Sequence, residues 1–76
     1  MSFGRNPYPA KAEAAEQKAS DAHDESARRR FYLDAARQWD LAAEKEKPGK
    51  YRTQYEENAE RTRSLADGAP PEDFEN

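Results

Sequence analysis

The sequence predicts an all-α fold: a small antiparallel three-helix bundle with an irregular N-terminal arm and a disordered acidic C-terminal tail. Three observations carry that expectation. Valine and isoleucine are absent from the 76 residues, and strands draw on β-branched side chains whereas helices do without them. Residues Ala27 to Glu46, ARRRFYLDAARQWDLAAEKE, place Phe31, Tyr32, Ala35, Ala36, Trp39, Ala42 and Ala43 on one broad face at about 100° per residue. Proline falls only near the ends and at position 48, so the breakers separate a few long segments rather than many short ones.

The elements follow in order. Residues 1–8, with Gly4, Pro7, Phe3 and Tyr8, read as an irregular arm. Pro9 suits the first position of a helix, where its missing N–H costs nothing. The first helix is expected over 9–23, with Ala12, Ala15, Ala19 and Ala22 forming a seam of small residues and Glu13 and Glu16 favouring the macrodipole. SDAHDES follows, rich in capping residues, and Asp24 is the expected N-cap of the second helix. No glycine or proline enforces that break, so one long bent helix is the alternative. The second helix is expected over 25–47, with Lys45 and Lys47 in its last turn and Pro48–Gly49 stopping it. So short a connection turns the third helix back antiparallel. That helix is expected over 49–67, with Tyr51, Tyr55, Ala59, Thr62 and Leu65 or Ala66 on one face. Glu57 and Arg61 are expected to pair across one turn. Gly68 reads as the residue just past its end, and Pro70 and Pro71 prevent continuation. Residues 68–76 read as a flexible acidic tail whose apolar handle is Phe74. Phe31, Trp39, Tyr51, Tyr55 and Leu65 are the expected main contacts of the 9–67 bundle.

Composition narrows the function. Charged residues make up 38% of the chain and hydrophobic ones 34%, so one thin core is expected, and a chain of this size buries only about 60% of its unfolded surface. With no cysteine there is no disulfide and no thiolate zinc site. Thirteen basic and sixteen acidic residues, well mixed and summing to −3, make a solvated surface and not a nucleic-acid field. No apolar run reaches the roughly 20 residues of a membrane span, and the N-terminus lacks the apolar stretch of a signal peptide. The expectation is a soluble, cytoplasmic protein with no membrane or nucleic-acid partner.

Nothing in the chain assembles a catalytic constellation. His23 is the single histidine. Asp21, Asp24 and Glu25 around it lack the alternating ligands and glycine of a calcium loop. The three glycines are scattered, so no phosphate loop is present. A thin core leaves no room for a substrate pocket of roughly 300 Å3. No enzyme activity, metal or cofactor is expected. Arg28, Arg29 and Arg30 point in three directions about 100° apart and so make no single basic patch, with Arg28 nearest the core side.

The sharper signal is on the other side of the second helix. Leu33 and Leu41 sit well outside the Phe31–Trp39 face, with Arg37 between them. Either the arm or the tail covers these leucines, or they are isolated surface residues, or they anchor a partner. Leu33, Arg37 and Leu41 are the candidate partner-binding residues, with Arg37 orienting the bound chain.

FYLDAARQWDLAAEKEK and KYRTQYEENAERTRSL, within a span from about Ala10 to Leu65, resemble microtubule-interacting and trafficking (MIT) domains and single tetratricopeptide units. Tyr55, Ala59, Glu60, Arg61 and Leu65 look similar to the motif ending the third helix of the former family, although the Arg and Ala-Glu order differs. The resemblance implies a groove between antiparallel helices that receives a partner's helix or peptide. The expected function is therefore a non-enzymatic protein-interaction module. A self-associating subunit, possible as a homodimer, and a carrier of an acidic C-terminal docking peptide are the alternatives.

Overall fold

A computed structural model of the protein describes residues 6–68, which form three α-helices: α1 (Tyr8–Asp21), α2 (Glu25–Lys45) and α3 (Lys50–Ala66). No strand occurs among the described residues. Phe3 of the expected arm and Phe74 of the expected tail lie outside them.

Tyr8 belongs to α1 and not to an arm. The Asn6 side chain explains the early start: its Oδ1 accepts the Tyr8 N–H at 3.1 Å. Pro7 already has helical angles, φ −84° and ψ −10°, so helix begins before Pro9. Tyr8 then packs against the core.

The break after α1 is real, and the single bent helix is excluded. Ala22 (φ −72°, ψ 135°) and Asp24 (φ −94°, ψ 130°) are both extended. The Asp24 carboxylate accepts the Ala27 N–H at 3.0 Å, satisfying a donor that the helix start leaves free. α1 thus stops at Asp21 instead of His23. α2 ends at Lys45, two residues short of the expected end. Glu46 is extended, and Pro48 biases Lys47 away from helix. Gly49, at φ 157° and ψ −164°, occupies a region that side chains disfavour, and α3 starts one residue later than expected. At the far end Gly68 (φ 86°) donates its N–H to the Leu65 carbonyl at 3.0 Å, closing α3 as an αL residue does.

Both outer helices pack on α2 and meet each other only sparingly. The connections, residues 22–24 and 46–49, are too short for anything but antiparallel neighbours. Asn6 Nδ2 donates to the Ala42 carbonyl at 2.8 Å, and the Lys18 ammonium stands 5.9 Å from the Phe31 ring centre. The start of α1 therefore lies at the end of α2, and the end of α1 at its start. The molecule measures 38 × 26 × 15 Å. Its middle dimension is that of three helices side by side at about 9 Å spacing.

The core is a single tryptophan set among alanines. Ala12, Ala15, Ala19, Ala35, Ala36, Ala42, Ala43, Ala59 and Ala66 are buried, and Trp39 is 3% exposed. The alanines let the backbones approach closely enough for one large ring to fill the space between them. Phe31 and Tyr32, expected on the buried face, are half-buried. Both lie in the first half of α2, and Lys18 at the facing end of α1 stands over the Phe31 ring. Tyr51, expected among the main contacts, is 61% exposed. Tyr55 takes the place over Trp39, with ring centres 5.6 Å apart. Tyr51, one turn nearer the helix end, meets solvent and the Lys50 ammonium.

Candidate functional site

α2 has two contrasting sides. Its inward side meets both neighbours through Trp39. The indole Nε1–H donates to Glu16 Oε2 on α1 at 2.6 Å. Arg61 on α3 reaches the same carboxylate with both terminal nitrogens, at 3.1 Å to Oε1 and 2.9 Å to Oε2. One carboxylate thus ties all three helices, and its bidentate bond to Arg61 links the two outer helices directly. The Glu57–Arg61 pair expected within α3 is not made, because Glu16 offers Arg61 a fork that the indole already orients. Burial, followed by the charges of Glu46, Tyr51 and Glu13, pushes the Tyr55 phenol above its ordinary pKa range.

The outward side of α2 carries the candidate residues. Leu33 is 39% exposed. Arg37, one turn on, is exposed, and Leu41, a turn further, is half-buried. The spacing of four puts all three on one stripe. Ion pairs among the described residues engage Arg28 with Glu25, Arg52 with Glu56, Arg61 with Glu16 and Arg63 with Asp40. Among the described residues Arg29, Arg30 and Arg37 have no such partner. Arg28, expected nearest the core side, is exposed and bonds Glu25.

A second surface feature lies between α2 and α3. Asp40, Thr53, Glu56, Glu57, Glu60 and Arg63 line an open depression of about 370 Å3 along α2 and α3. This depression is open to solvent and lies where two helices meet side by side, not within the core. Its walls are mostly acidic, and Arg63 bridges it to Asp40 at 3.1 Å. No group of three histidine, cysteine or acidic residues placed to hold a metal ion occurs among the described residues. No described helix is long and apolar enough to cross a membrane.

No family model, curated protein or solved structure matches the chain.

Proposed function

We propose that the chain is a non-enzymatic helical interaction module that binds a partner's amphipathic helix or short peptide on the outward face of α2 and the adjoining edge of α3. One observation carries this reading: Leu33 stands exposed beside Arg37, an arginine without an ion pair among the described residues, on a stripe continued by Leu41. A leucine buried in a contact gains about 25 cal/mol per Å2 of apolar surface removed from water. An arginine fork between two such anchors selects a carboxylate on the partner and fixes its register. The partner this surface fits is an apolar helix or strand segment bearing one acidic residue between its anchors. The likeness to helical-hairpin adaptor domains points the same way, and a cytoplasmic setting belongs to the same reading.

Selection of binding peptides from a displayed library on the native chain tests the proposal. Selected peptides lose binding to Leu33→Gln/Leu41→Gln and Arg37→Glu variants while the helical circular dichroism stays unchanged. Peptides that bind these variants as tightly as the parent refute it.

A further inference from the structure

The outward face of α2 has a candidate occupant within the chain itself. α3 runs back along α2 from the turn at residues 46–49, so its 17 residues from Lys50 to Ala66 carry it about 25 Å at 1.5 Å per residue. That distance brings Gly68 level with the early turns of α2, where Arg29 and Leu33 stand. Gly68 closes the helix with φ 86°, which turns the chain off the α3 axis. The six residues that follow Gly68, ending at Phe74, span up to about 20 Å when extended, enough to cross from one helix to its neighbour.

The chemistry on the two sides matches. Residues 72–75 read Glu-Asp-Phe-Glu, one aromatic ring flanked by carboxylates. Arg29, Leu33 and Arg37 recur every fourth residue on α2, one apolar side chain flanked by arginines. Neither arginine has an ion pair among the described residues, and Leu33 is 39% exposed. We propose that residues 69–76 dock back on the outward face of α2, with Phe74 against Leu33 and the flanking carboxylates opposite Arg29 and Arg37. The segment then shields the surface that the proposed partner uses, and a partner must displace it. The contact itself needs no partner, so it stands or falls independently of the binding reading.

The chain lacks cysteine, so Asn76→Cys carries a single spin label on the otherwise unchanged chain. The expected result is loss of amide signal at Arg29, Leu33 and Arg37 with the label paramagnetic, while amides at the start of α1 keep theirs. Phe74→Ser, or Arg29→Glu with Arg37→Glu, restores the lost signals. All these residues lie outside the alanine–tryptophan core, and the remaining amide shifts report that each variant keeps the fold. Loss confined to the end of α3, loss spread evenly over the helices, or loss unchanged by Phe74→Ser overturns the proposal. A mixture of spin-labelled unenriched chain with unlabelled 15N chain guards the other side. Signal loss at α2 in that mixture makes the occupant a second copy and overturns docking within one chain.

Discussion

Replacing Glu16 by alanine removes the carboxylate that bonds Trp39 of α2 and Arg61 of α3, and the cost can be worked from its contacts. The Trp39 indole N–H, on a residue 3% exposed, loses its acceptor. A buried donor left unpaired costs about 1–3 kcal/mol. The ion pair with Arg61 involves side chains 22% and 48% exposed, so solvent screening holds its share to about 0.2–1 kcal/mol. Together the loss is about 1–4 kcal/mol, a large part of the roughly 4–11 kcal/mol expected for a chain of 76 residues. Glu16→Gln separates the two effects. It keeps an oxygen for the indole and loses only the charge, so it costs about 1 kcal/mol or less. Urea unfolding followed by circular dichroism and by the fluorescence of the single tryptophan gives both values from the midpoints. In molar salt the glutamine cost shrinks while the further cost of alanine persists, because screening acts on charge and not on the indole bond. Equal costs for Glu16→Ala and Glu16→Gln, or an alanine cost below about 0.5 kcal/mol, refute the reasoning that this bond matters.

Three further outcomes follow from the same geometry. Asp24→Ala lowers stability by about 1 kcal/mol and frays the first turn of α2, seen as faster amide exchange at Ala27. Ala59, fully buried against Trp39, has no room for a larger side chain, so Ala59→Leu destabilises by about 1–3 kcal/mol in urea titrations. The raised pKa of the Tyr55 phenol means the folded state holds its proton more tightly than the unfolded one. Its contribution is present below the ordinary phenol pKa of about 10 and is lost as pH rises through the higher folded value. The alkaline fall in stability is accordingly shallower in Tyr55→Phe.

The sequence revealed those features that rest on local rules. Asp24 was legible as a cap because its side chain acts three residues away, and Pro48–Gly49 as a stop because both residues constrain their own backbone. The buried face of α2 from Ala35 to Ala43 followed from the helical period. What escaped is set by the neighbouring helices. Tyr51 and Tyr55 share one face of α3, yet only Tyr55 is opposite Trp39; periodicity cannot tell which turn meets a bulky partner. Arg61 has an acidic residue one turn away, but the better-oriented carboxylate lies 45 positions back in the chain. The acidic furrow draws Asp40 from α2 and its glutamates from α3, and no spacing within either helix announces it. For the α2 stripe the sequence supplied the residues, and the structure adds their exposure and the arginines without ion pairs.

The chain contains three leucines, Leu33, Leu41 and Leu65, and this makes one measurement decisive for the docking surface. With 13C-labelled leucine methyls, a bound peptide reports directly on the outward stripe through Leu33 and Leu41, while Leu65, half-buried on α3, serves as the internal reference. The expected result is that a peptide selected for binding shifts the Leu33 and Leu41 methyls in a saturable way and leaves Leu65 in place. Saturable binding that moves Leu65 and spares Leu33 and Leu41 contradicts it.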